Sequence, residues 1–131
     1  MKTITKWKDK HEFESWQNHN SIQLDGNGQN GFGPKALLLA GLGGCTGIDV
    51  VDVLKKMRVE FSALEIDVET TQTETYPKVF KDIFIIYRIK TSVKNKSKVK
   101  KAIDLSLEKY CGVSAMLRKN SPIHYKLLIE S

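Results

Sequence analysis

The stretch Gly33-Pro-Lys-Ala-Leu-Leu-Leu-Ala-Gly-Leu-Gly-Gly-Cys-Thr-Gly-Ile-Asp-Val-Val51 decides the fold. Its apolar residues do not alternate as a strand's would. Leu37, Leu38, Leu39, Leu42, Ile48, Val50, Val51, Val53 and Leu54 occupy nearly every face of a helical period. Pro34 suits the first helical turn, where its missing N–H has no partner to lose. Lys55, Lys56 and Arg58 suit the negative end of the helix dipole. The pattern predicts a helix from Pro34 to about Arg58, and a helix apolar all round is a buried core helix.

Gly41, Gly43, Gly44 and Gly47 crowd around Cys45 inside that helix. Each interior glycine costs roughly 0.5–1 kcal/mol against alanine. Helix propensity does not choose this composition, so another helix, a partner chain or a substrate is expected to approach closely. Cys45 is then either a small apolar residue in a tight contact or a sulfur uncovered for chemistry, and composition leaves both open.

Upstream, residues 2–8, 11–17 and 20–24 read as three short strands broken by Asp-Lys and Asn-His-Asn turns. The glycine-rich run Asp25 to Gly33 lacks the spacing and terminal Lys-Ser/Thr of a phosphate loop. Downstream, residues 63–72 and 79–90 alternate as two longer strands around Glu74-Thr-Tyr-Pro77. Ser97 is a candidate cap for a second helix, with Val99, Ala102, Ile103, Ser106, Leu107 and Tyr110 at helical spacing. Cys111 and Gly112 interrupt it, Val113 to Lys119 reads as a short further helix, and residues 122–129 close the chain as a strand.

No internal repeat, linker or low-complexity tract divides these elements, so a single domain over residues 1–131 is expected. The class is α+β, an antiparallel sheet with one central helix. Several apolar segments exceed what one small chain can cover, which predicts a dimer.

The net charge of +6 invites a nucleic-acid reading, but the aromatic-and-basic motifs of such proteins are missing. Lys94, Lys96, Lys98, Lys100 and Lys101 read as a solvated turn and helix start. Met1 to Lys10 has charges with no apolar core behind them, so no secretory leader is expected. No stretch reads as long and apolar enough for a membrane span. A cytoplasmic protein is expected, whose two cysteines stay reduced unless they are catalytic or redox-sensing.

Cys111 lies at the junction Lys109-Tyr-Cys-Gly-Val-Ser114, where a helix N-terminus would favour its thiolate. The alternative is a helix-terminal core residue. Glu108, Lys109 and Tyr110 read as a solvated helix end. His11, His19 and His124 show no ligand spacing, and His124 reads as a structural or surface residue; no metal is expected. Asp49 and Asp52 share the helical face of Cys45 and read as partners of lysines or of a second copy, since negative charge there disfavours a thiolate.

The stretch Gly33–Val51, the segment Lys109-Tyr-Cys-Gly-Val113, and Tyr76-Pro-Lys-Val-Phe80 with the isoleucine-rich strand after it together resemble the OsmC/Ohr family of peroxide-reducing proteins. The resemblance runs over nearly the whole chain. It implies an intertwined homodimer with central helices inside and active sites at the subunit interface. It implies thiol chemistry with no cofactor, neither metal nor flavin. By position Cys45 matches the attacking cysteine and Cys111 the resolving one. The implied substrate is a small organic hydroperoxide and the implied reductant an external dithiol.

Two departures accompany it. Pro34-Lys-Ala-Leu37 places Ala36 where catalytic members carry glutamate. Arg58, Arg88 and Arg118 all follow Cys45, whereas the family's thiolate-stabilising arginine precedes it. The alternative function is therefore a non-peroxidase of the same fold that binds a small apolar or thiol-reactive ligand.

Overall fold

A computed structural model describes residues 1–131. The chain falls into two compact units, Met1–Leu39 and Ala40–Ser131.

The first unit is a three-stranded antiparallel meander of β1 (Ile4–Asp9), β2 (Glu12–Gln17) and β3 (Asn20–Asp25), in that spatial order. The turns predicted from sequence lie at Lys10 and Asn18, both with positive φ. The glycine-rich run after β3 has its own anion. The buried Asp25 accepts the N–H of Asn27 at 2.9 Å, of Asn30 at 3.0 Å and of Gln29 at 3.3 Å. The loop's amides thus turn onto a carboxylate of the same chain, as in an Asx turn. Those bonds, the one from Asn27 foremost, hold the Asp25 carboxyl below the usual aspartate range. Gly31 permits the return of the loop onto β3, because a Cβ there would meet the Gln23 carbonyl at 2.7 Å.

Helix α1 (Pro34–Lys56) starts in the first unit and continues into the second. The second unit holds a sheet of order β4-β5-β6, with β4 (Ala63–Gln72), β5 (Phe80–Lys90) and β6 (Ile123–Glu130). Strands β4 and β5 pair antiparallel, but β5 and β6 run parallel, from Ile83 beside Ile123 to Lys90 beside Glu130. This corrects the wholly antiparallel sheet expected from sequence. The residues between β5 and β6 form a helical crossover that carries the chain back to the start of β5, and parallel pairing requires such a return.

Strand β5 buries Ile83, Ile85, Tyr87 and Ile89 and turns Phe84 and Arg88 to the opposite face. Helix α1 buries only the stripe Leu42, Thr46, Val50 and Leu54. Its Gly43 and Gly47 lie against β4, where an added Cβ would meet Val68 at 3.5 Å and Ile66 Cδ1 at 3.0 Å, respectively. Two of the four glycines around Cys45 are therefore explained by a sheet approaching the helix. The other two, Gly41 and Gly44, face open space within this chain.

The expected all-round burial of α1 is not met by one chain, for Leu38 and Ile48 stand 50% and 66% exposed. A single sheet face covers a single stripe of a helix. A second correction concerns length and polarity. Helix α1 spans 23 residues with a mean hydropathy of 1.7 in its most apolar window, enough by composition to cross a membrane. Alanine and cysteine add to the hydropathy of its large aliphatic side chains.

Helix α2 (Lys96–Leu105) follows a 3-10 turn at Val93–Asn95 and buries Val99, Ala102 and Ile103. Ser97 lies inside it and does not cap it. Asn95 flanks its start, with its side chain bound instead to Thr91 Oγ1 at 3.0 Å. A π turn, Ser106–Tyr110, then widens the helix before Cys111. Tyr110 stands exposed beside Lys109, as the solvated helix end read from sequence predicts. Helix α3 (Gly112–Arg118) completes the crossover.

A candidate thiol active site

Cys45 is carried by α1, half-buried, one turn before Asp49. Cys111 is buried at the N-cap of α3. Its Sγ accepts the Ser114 N–H at 3.3 Å, and the Ser114 hydroxyl donates to the Cys111 carbonyl at 2.9 Å. The π turn sets its position, since the Cys111 N–H donates to the Ser106 carbonyl at 2.7 Å. The two sulfurs and a carboxylate oxygen of Asp49 all lie within 4.8 Å of one another. The structure thus brings together both predicted cysteines, which sequence spacing could not do.

The helix N-terminus was expected to favour the Cys111 thiolate, but burial outweighs it and pushes the thiol up. The bonds from Ser114 oppose that shift, and the adjacent Cys45 sulfur adds to it. Burial therefore favours the thiol form of Cys111.

A buried polar chain lies beneath the sulfurs. Tyr87 OH and Thr46 Oγ1 are 2.8 Å apart, Thr46 Oγ1 and Ser106 Oγ 2.7 Å, and Ser106 Oγ and Asp49 Oδ2 2.9 Å. The Ser106 hydroxyl is the donor to Asp49, and because each hydroxyl carries one proton that fixes the direction of the other two bonds. Ser106 donates to Asp49, Thr46 to Ser106 and Tyr87 to Thr46. Tyr87, Thr46 and Ser106 are all inaccessible to water, and no buried side-chain polar atom is left unpaired. Burial, only partly offset by Thr46, raises the Tyr87 hydroxyl far above the usual tyrosine range, so it stays a donor.

Sequence reasoning placed Asp49 on the face of Cys45 but gave it lysines or a second copy as partners. Its partner here is the Ser106 hydroxyl, and a carboxylate oxygen lies within 4.8 Å of both sulfurs. Thr46, Ser106 and Tyr87 were missed as site residues. Their one signal was polarity at positions that pattern as core.

Arg88 and Arg118 each have partners away from Cys45's side chain. Arg88 pairs with Asp67 at 2.8 Å and with Glu65 at 3.4 Å, on the sheet face opposite Tyr87. Arg118 donates to the Leu107 carbonyl at 2.8 Å. His124 pairs with Asp82 at 2.8 Å and stacks on Phe84, also on that outer face, as a surface residue.

Residues 26–126 match the family described as OsmC-like protein. Protein YhfA of Escherichia coli (strain K12) is 34% identical over 122 residues, covering 91% of this chain and 90% of that protein. The crystal structure of the OsmC-like protein from Mycoplasma pneumoniae has the same fold, with a TM-score of 0.87 at 17% identity over 99% of this chain and 96% of that one. The organic hydroperoxide resistance protein OhrB of Bacillus subtilis superposes with a TM-score of 0.66 at 20% identity, over 96% of each chain. With its α+β fold, its long glycine-flanked helix and this match over most of its length, the chain belongs to the OsmC-like protein family.

Proposed function

We propose that this protein is a thiol peroxidase that reduces organic hydroperoxides, with Cys45 attacking and Cys111 resolving. The observation that carries the reading is the meeting of two free sulfurs from separate elements, within 4.8 Å, one half-buried and one buried as a thiol. The Cys45 thiolate attacks the distal peroxide oxygen. The O–O bond breaks, an alcohol leaves with a proton, and Cys45 becomes a sulfenic acid. Cys111 then attacks that sulfur: an S–S bond forms, the S–O bond breaks, and the hydroxyl leaves as water with the Cys111 proton. An external dithiol reduces the disulfide by exchange, which fits a reducing compartment such as the cytoplasm.

A homodimer belongs to this reading. Ile48 and the open sides of Gly41 and Gly44 leave an apolar helix face that a second copy would cover. Arg58, Arg88 and Arg118 all follow Cys45 in the chain, so turnover slower than in members with the upstream arginine is expected.

The test is peroxide consumption by reduced protein with cumene hydroperoxide and a dithiol. Loss of peroxide well above that of the Cys45→Ser variant is expected. Equal rates would discard the peroxidase reading and leave the ligand-binding alternative.

A further inference from the structure

Asp49 has no task in the peroxidase chemistry above, yet the buried chain from Tyr87 through Thr46 and Ser106 is directed at its carboxylate. The hydrogen bond from Ser106 occupies Oδ2. Two sulfurs lie beside the same group. Two cysteines and a carboxylate that is itself held by a hydrogen bond are the materials of a metal site.

The geometry suits a tetrahedral ion. Zinc takes sulfur at about 2.3 Å and carboxylate oxygen at about 2.0–2.2 Å, so donors on one ion stand about 3.5–3.8 Å apart. The three donor atoms here lie within 4.8 Å of one another, and closing them onto one ion takes shifts of about 1 Å or less. Sulfur donors select zinc-class ions over magnesium or calcium. A divalent cation also brings the positive charge that lets two neighbouring thiols ionise beside a carboxylate. Three donors leave a fourth position for water or an incoming ligand.

We propose that the reduced chain binds one thiophilic divalent cation of the zinc class through Cys45 Sγ, Cys111 Sγ and the Asp49 carboxylate. This departs from the sequence expectation of no metal. The donors come from two elements far apart in the chain, so no ligand spacing announces them. The inference needs only reduced thiols and does not require that they turn over peroxide, although a bound ion would hold the two sulfurs that the peroxidase reading uses.

Cobalt(II) titration of the reduced full-length protein, without oxygen or peroxide, tests it. A sulfur-to-cobalt charge-transfer band should grow, saturate at one ion per chain and vanish on adding zinc. Cys45→Ser and Cys111→Ser should each weaken binding by about tenfold or more and diminish the band, and Asp49→Asn should weaken it about tenfold or more. Wild-type protein with alkylated thiols gives the same comparison where a variant does not fold. Absence of the band overturns the proposal. So does a band of equal affinity in Cys111→Ser, which is an adventitious ion on one thiol, or in Asp49→Asn. Because a bound ion would occupy both thiols of the peroxidase reading, peroxide consumption is measured separately, on metal-free protein.

Discussion

Thr46 Oγ1 and Ser106 Oγ are 2.7 Å apart, and this contact ties the helix that carries Cys45 to the turn that positions Cys111. Thr46 follows Cys45 directly, and the Ser106 carbonyl receives the Cys111 N–H. Removing the Thr46 hydroxyl while keeping its shape strips the Tyr87 hydroxyl of its acceptor and Ser106 of a donor. Thr46→Val should therefore destabilise the fold by about 2–4 kcal/mol, and Tyr87→Phe by only about 1 kcal/mol. Urea denaturation of both variants measures the difference, and equal losses would show that Thr46 does not link the two.

The sulfurs should form a bond within one chain. Intact mass after stoichiometric peroxide should fall by two hydrogens in the wild type. Cys111→Ser should instead stop at a Cys45 sulfenic acid that dimedone labels. Retention of both free thiols in the oxidised wild type would contradict the resolving role of Cys111.

Ile48 is 66% exposed on α1. A charge there should be tolerated by the isolated chain but not by an apolar interface between copies. Ile48→Glu should halve the mass seen by light scattering without loss of helical circular dichroism. A wild type that is already monomeric would remove the dimer from the reading.

Asp25 makes the loop after β3 pH-dependent. Its carboxyl is depressed in the folded chain by the amides of Asn27, Asn30 and Gln29. The resulting stability is present above the ordinary aspartate value of 3.8 and is lost as pH falls through the lower folded value. Amide exchange at those three residues should be protected relative to the intrinsic rate at neutral pH and lose that protection only in that acid window. Asp25→Ala should remove the protection at every pH.

The sequence by itself determined the elements. Alternation fixed β1 to β5 within a few residues, and the long apolar run between a proline and three cations fixed α1, because each is a local consequence of period and terminal chemistry. The motif around Cys45 and the segment around Cys111 also determined the family. Other features depended on residues distant in the chain. The parallel return of β6 beside β5 follows from how the α2–α3 crossover packs, and composition does not encode that direction. Only one stripe of α1 is buried, because a single sheet covers a single helical face. Asp49 faces the two sulfurs and not a lysine because the π turn delivers Ser106 to its carboxylate and Cys111 to Cys45. Local periodicity named the two thiols, and tertiary packing decided that they meet beside a carboxylate.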